Sequence, residues 1–256
     1  MMKPILVSGR PLAAGRCAVC APLVGRTGEA LLAEAAAVAA LGPDLIEWRV
    51  DFYEGVARTD EVVALAAALR RAVGGVPLLF TRRSAREGGE PKPLHDSQVV
   101  ALYAAVCAGG AIDLIDFEMG SAPPDVRAVR EAARRQGVGL VLSFHDFQST
   151  PAPEVLTQRF EQAVHLGADV AKVAVMPHSM ADVLALLAAT LQASESLPIP
   201  VVSMAMGAQG AVSRLCGGAF GSAMTFGVGV SPSAPGQLPI AELKAGLALL
   251  QSADRR

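Results

Sequence analysis

The sequence predicts an α/β protein, a (β/α)8 barrel carrying a short N-terminal extension. Short apolar, β-branched runs alternate with alanine- and leucine-rich helical stretches from residue 17 onward, and eight such pairs fill the 256 residues. One barrel of this kind needs about 250 residues. The rival with the same alternation, a doubly wound sheet, normally has fewer units and a Gly-x-Gly-x-x-Gly turn after its first strand, which this chain lacks. No stretch rich in proline, glycine or serine divides the chain, and nothing repeats beyond the βα unit itself. The expectation is a single domain over residues 1–256, in which residues 1–16 form a hairpin-like preface turning at Ser8-Gly9-Arg10-Pro11.

Taken in order, Cys17–Leu23 is the first barrel strand, and Thr27–Leu41, built of good helix formers, carries the chain back. Asp44–Asp51 and Thr59–Val73 form the second pair, Val76–Arg83 and Asp96–Ala108 the third. Ile112–Met119 with Pro123–Gln136 is the fourth, and Gly139–His145 with Pro153–Leu166 the fifth. Val170–Pro177 is too short for a helix, is rich in valine and is ended by a proline, so it reads as a buried parallel strand. Met180–Ala193 follows it as helix. Ile199–Met206 as strand, a short helix near Ala208–Cys216, Ala223–Val230 as strand and Ile240–Gln251 as helix complete the count.

Composition narrows the function classes. Apolar residues make up 52% of the chain and the formal net charge is −2, which supplies a core but no basic surface for nucleic acid. Met1-Met2-Lys3-Pro4 is not followed by the apolar core of a signal peptide, and no run of about 18 apolar residues could span a bilayer. A cytoplasmic protein without membrane or nucleic-acid partners is expected. Cys17, Cys20, Cys107 and Cys216 are few. Cys17-x-x-Cys20 lies in a strand, where the two thiols face opposite sides, and no second pair follows at zinc spacing, so no metal site is expected.

The polar residues inside the strands carry the chemistry. Lys172 is one of four lysines, against eighteen arginines, and sits in the middle of the apolar run Val-Ala-Lys-Val-Ala-Val. A charge is rarely placed there without a task, and a buried amine held partly unprotonated is a nucleophile towards carbonyls. In Val141-Leu142-Ser143-Phe144-His145 the two-residue period sends Ser143 and His145 to the same interior side as Lys172 on the next strand. The same period in Ile46–Asp51 turns Glu47, Arg49 and Asp51 inward. Thr81 and Arg83 share a face while Arg82 takes the other, and Glu87 follows on a loop with Gly88 and Gly89. His95, His165 and His178 lie in a loop, on a helix and after a strand end, and are expected to be non-catalytic. The loop Ser231–Gln237 is either a plain connection or a lid over a polar ligand. Before any comparison, the reading is a barrel with an interior amine, a histidine beside it and arginines for an anionic substrate.

In these motifs the chain resembles the type I 3-dehydroquinate dehydratases. They are Glu47-x-Arg49-x-Asp51, Arg83 to Glu87-Gly88-Gly89, Ser143-Phe144-His145-Asp146-Phe147, Lys172 in its strand, Met206-Gly207 to Ser213-Arg214, and Ser233-Ala234-Pro235-Gly236-Gln237. Arg82 departs from the family's apolar or aromatic residue and leaves that segment open by one position; the spacing to Glu87 favours Arg83. The resemblance implies dehydration of 3-dehydroquinate to 3-dehydroshikimate, the third step of the shikimate pathway, through a Schiff base on Lys172. It makes His145 the proton carrier, Glu87 its orienting carboxylate and Arg214 the partner of the substrate carboxylate. Glu47, Arg49, Arg83, Ser233 and Gln237 would hold the ring hydroxyls and close the lid. It implies no cofactor and no metal, a small-molecule partner, and a homodimer. Two rivals share the interior lysine: a class I aldolase, and a barrel that only binds quinate-like ligands.

Overall fold

A strand followed by a helix returns the chain to the same end of the sheet, so consecutive strands pair in parallel. In the computed structural model, which describes residues 2–13, 15–92 and 94–253, this happens eight times. A two-stranded antiparallel hairpin, β1 (Leu6–Val7) and β2 (Arg10–Pro11), comes first; of the expected preface, residues 1 and 14 lie outside the described residues. The barrel strands are β3 (Ala18–Leu23), β4 (Leu45–Arg49), β5 (Leu78–Thr81), β6 (Leu114–Glu118), β7 (Gly139–Asp146), β8 (Val170–Val175), β9 (Val201–Ala205) and β10 (Met224–Val228). The helices are α1 (Gly28–Ala40), α2 (Thr59–Ala72), α3 (Asp96–Ala108), α4 (Pro123–Arg135), α5 (Pro153–His165), α6 (Met180–Ser196), α7 (Gly207–Cys216) and α8 (Ile240–Ala253). A short β11 (Leu238–Pro239) pairs with the end of β10.

All of the pairings from β10 through β3 to β9 are parallel. The ring closes through a bridge between Val201 and Ser222, backed by Ala223 N donating to Val201 O at 2.8 Å. The expected (β/α)8 barrel is the fold found. Among the described residues no helix is long and apolar enough to cross a membrane.

Alternation divides the strands' side chains between two cores. Val19, Ile46, Trp48, Phe80, Ile115, Leu142 and Val173 face outward and pack under the helices. Cys20, Leu45, Leu79, Leu114, Val141, Val170, Val202 and Met224 fill the interior floor. Ile5 and Ala13 from the hairpin belong to that inner cluster and cap its lower end. Cys17 lies in the outer core and Cys20 in the inner one, so the two thiols do face opposite ways. Burial pushes the Cys17 thiol up to about 12.

Outside β4, β5 and β6 an edge-to-face ladder runs from Trp48 to Phe80 (5.5 Å between centroids), to Tyr103 (5.3 Å), to Phe117 (5.1 Å). Tyr103 Oη donates to Asp116 O at 2.6 Å and accepts from Arg82 N at 2.9 Å, tying the ladder to the upper ends of β5 and β6. Phe80→Ala removes the ladder's centre from a fully buried site. Chemical denaturation should show a loss of about 3–5 kcal/mol; a loss below 1 kcal/mol would show that the ladder closes up around the gap.

Several boundaries differ from expectation by one to three residues, and three of them have a visible cause or consequence. β4 stops at Arg49 and a 3-10 turn, Val50–Phe52, follows, so the strict alternation fails at Asp51. β5 ends at Thr81, before Arg82 and Arg83. α6 runs on to Ser196, because nothing before Pro198 stops it.

Candidate active site

The polar ends of the strands gather at the C-terminal mouth of the barrel, where this architecture keeps its chemistry. A cavity there is lined by Glu47, Arg49, Arg83, Glu87, His145 and Lys172, with Arg214, Ser233 and Gln237 at its upper side. Every residue to which the resemblance gives a role therefore borders one cavity. Met204, Met206, Phe147 and Phe226 form its apolar walls.

Lys172 is 4% exposed. Its strand is held in register with β7, where Ser143 pairs with Lys172 and His145 with Ala174, so amine and imidazole enter the cavity from adjacent strands. Nζ donates to Asp116 Oδ2 at 2.8 Å, stands 3.9 Å from Glu47 Oε1 and lies 4.5 Å from the centre of the Phe226 ring. Two carboxylates thus stand beside an amine that the sequence sets in an apolar strand.

Asp116 was missed at the sequence level, and so was Glu118. Both alternate inward on β6, in Leu114-Ile115-Asp116-Phe117-Glu118, as clearly as Glu47 and Arg49 do on β4. Asp116 Oδ1 accepts from Arg83 Nη2 at 2.7 Å and from Ser143 Oγ at 2.6 Å. Burial alone would raise this carboxyl, but Arg83 and Lys172 outweigh it and hold Asp116 far below the usual range.

Arg83, not Arg82, faces the cavity. Its guanidinium is fully buried and touches Asp116, Glu118 (3.4 Å) and Glu87 (3.5 Å). Arg82 lies on the outer side of the mouth, in a cleft with Arg86, Asp96 and Asp125. Asp51 is a correction: it does not line the cavity. Its carboxylate clamps Arg49 through two bonds, 2.9 Å to Nε and 2.8 Å to Nη2, and accepts from the backbone of Arg83 and Glu90. The 3-10 turn that displaces it from the strand's inner face also sets up that clamp.

His145 and Glu87 form a dyad, with Nδ1 and Oε2 2.8 Å apart and the His145 backbone donating to the same oxygen at 3.1 Å. The carboxylate comes from a 3-10 turn, Ala85–Glu87, that ends on Gly88 at φ +80°. A side chain there would collide with the Phe147 ring, so glycine is required by both conformation and space. Burial pushes Glu87 up to about 8, with Glu118 and Asp116 adding to it and Arg83 opposing. Burial also holds His145 well below its ordinary range, helped by Arg83 and Lys172. Both shifts favour the uncharged dyad, and Nε2 is the ring nitrogen available to a ligand.

Arg214 comes from α7 and is fully buried, yet no carboxylate lies against it among the described residues. Its Nη2 donates to Pro235 O at 3.0 Å and Nη1 to Phe226 O at 3.4 Å, while Nε has no partner. Burial lowers it to about 10, which leaves it charged at neutral pH. Arg49 donates to Ser233 O at 3.4 Å, Ser233 N donates to Gln237 Oε1 at 2.9 Å, and Gly207 N donates to Pro235 O at 3.2 Å. The 231–237 loop is thus seated over the mouth. Gly236, at φ +76°, allows this: a Cβ there would lie 2.2 Å from Gly207 O.

The remaining histidines take part in local structure. His165 bonds Glu161 O within α5, His178 bonds Gln148 O, and His95 caps α3. Among the described residues no group of three or more His, Cys, Asp or Glu side chains is placed to hold a metal ion.

Known proteins resemble the chain over nearly its whole length. A sequence profile described as type I 3-dehydroquinase matches residues 19–254. The chain is 52% identical to the 3-dehydroquinate dehydratase of Albidiferax ferrireducens, covering 98% of this chain and 96% of that one. It is 50% identical to the 3-dehydroquinate dehydratase of Geobacillus thermodenitrificans, over 91% and 90% of the two chains. The crystal structure of the Geobacillus kaustophilus 3-dehydroquinate dehydratase superposes with a TM-score of 0.95 at 45% identity, covering 98% of this chain and 99% of that one. With matches of this extent, the chain belongs to the type I 3-dehydroquinase family.

Proposed function

We propose that the protein dehydrates 3-dehydroquinate to 3-dehydroshikimate through an imine on Lys172, as the third step of the shikimate pathway. One observation carries the reading. A buried amine and a half-buried imidazole share a cavity with a buried guanidinium, Arg214, that has no acid of its own among the described residues. A ketone, an acidic C–H beside it and a carboxylate are the matching features of the substrate.

The steps follow from these groups. The Lys172 nitrogen adds to the C3 ketone, and the carbonyl oxygen leaves as water, giving an iminium that withdraws electrons from C2. His145 Nε2 takes the C2 proton, with Glu87 fixing the ring through Nδ1. The resulting enamine expels the C1 hydroxyl, which leaves as water with the proton returned by His145. Water then hydrolyses the conjugated iminium and frees Lys172. Glu47, Arg49 and Arg83 suit the ring hydroxyls, and Ser233 and Gln237 suit the lid that shuts out solvent.

Borohydride in the presence of 3-dehydroquinate tests the proposal. Reduction should add the mass of the substrate or product skeleton to the peptide containing Lys172; an unmodified peptide after turnover would rule out the imine. The carboxylate assignment has its own test. Arg214→Ala removes one charge-assisted pair, worth about 1.5–3 kcal/mol, so KM should rise roughly 10- to 150-fold. If KM is unchanged, another arginine holds the carboxylate, and Arg49 is the next candidate.

A further inference from the structure

Asp116 is a buried acid to which the steps above give no task. It is not among the residues that line the cavity and stands behind the amine. Its Oδ2 accepts from Lys172 Nζ at 2.8 Å, while Arg83 and Ser143 fix Oδ1 from two other directions. Glu47, the other carboxylate near Nζ, is 3.9 Å away and is engaged by Thr81 Oγ1 at 2.8 Å. The amine therefore has one close acceptor, and that acceptor is itself immobilised.

We propose that Asp116 is the counter-ion of the imine nitrogen, aiming Nζ at the cavity before reaction and keeping the imine protonated while it exists. The inference rests on the Schiff-base reading. Imine formation joins an amine to a ketone, releases the carbonyl oxygen as water, and leaves one added proton on nitrogen. The iminium carries the same charge as the ammonium but has a single N–H. That N–H can occupy the direction from which the ammonium now donates to Oδ2. A carboxylate at this distance in a buried site favours the cation over the neutral imine, and the cation is the form that draws electrons from C2. The Phe226 face adds a smaller attraction of the same sign.

The other ionisable groups around the nitrogen do not replace it. Glu47 and Arg49 face it from β4 and Cys20 from β3; Glu47 is engaged by Thr81, and Arg49 is neutralised by Asp51. Glu87, from the segment after β5, and Glu118, from β6, are each paired with Arg83. His145 on β7 is held by Glu87, and Arg214 on α7 adds a positive charge that would oppose the iminium.

The test is the pH dependence of trapping by cyanoborohydride, which reduces a protonated imine and spares a neutral one, with 3-dehydroquinate at saturation. Wild-type protein should trap at an undiminished rate to pH 9. Asp116→Asn keeps the side-chain shape and leaves Arg83 with Glu118 and Glu87, at 3.4 and 3.5 Å. In this variant the fall in trapping should move down by about 1–3 pH units. Its kcat should drop about 100-fold, more than KM changes, with the melting temperature kept within a few degrees. A variant that traps with the wild-type pH dependence would overturn the counter-ion role while leaving the Schiff base standing. Wild-type protein that gains no mass would overturn both. Should Asp116→Asn not fold, the wild-type profile still decides: trapping that declines near neutral pH means that the imine lacks a counter-ion.

Discussion

Replacing Lys172 with alanine should abolish turnover and leave a folded barrel. The loss in kcat should be of order 10⁶, the scale on which removal of a covalent nucleophile is felt. No other lysine can substitute, because Lys3, Lys92 and Lys244 do not line the cavity. Folding should survive for a specific reason. Asp116 keeps Arg83 and Ser143 as partners, so the substitution leaves no buried acid unpaired. The side chain's removal leaves space beside Phe226 and Met204, which already border a cavity. Lys172→Met, closer in volume, should be equally inactive and melt nearer to the wild type. Borohydride with 3-dehydroquinate should add no mass to either variant. Measurable turnover above about one part in 10³ of the wild type, on protein free of wild-type contamination, would end the imine mechanism.

How much of this site could be read from the sequence depended on where each residue sits. Lys172, Glu47, Arg49, Ser143 and His145 were legible because they interrupt apolar strands with a two-residue period, and the period survives in the structure. Asp116 and Glu118 carry the same signal on β6, but that strand holds no basic residue to mark its acids as part of a site. The placement of Asp51 was not legible. Whether the chain continues as strand or turns after Arg49 is settled by contacts with Arg83 and Glu90, far along the chain. Arg214 lies on a helix, where no strand alternation applies, and only the resemblance singled it out. The seating of the 231–237 loop through Arg49, Arg214 and Gly207 is likewise a matter of tertiary contacts between distant segments.

His145→Ala should separate the two catalytic groups by the step each serves. The amine and its partner Asp116 remain, so the imine should still form. Proton transfer loses its carrier, and kcat should fall by about 10²–10⁴. An adduct on Lys172 should then accumulate and be trapped by borohydride in higher yield than in the wild type. The pH profile supplies an independent reading. With Glu87 raised to about 8 and His145 depressed, the dyad at lower pH holds one proton more than a base can tolerate. As pH rises through about 8 that proton is lost: Glu87 becomes a carboxylate accepting from Nδ1–H, and Nε2 is left with a free lone pair. Wild-type kcat should therefore climb with pH and level off near or above 8, rather than follow an isolated histidine. His145→Ala should lose that limb, and Glu87→Gln should shift it, because a neutral amide cannot take up the proton. The competing view makes His145 a packing residue beside Glu87 and predicts either normal turnover or a rate that falls only as the melting temperature falls. Measuring kcat against pH, adduct mass and melting temperature on one preparation distinguishes the two, and a stable His145→Ala protein with an intact pH limb would remove the imidazole from the mechanism.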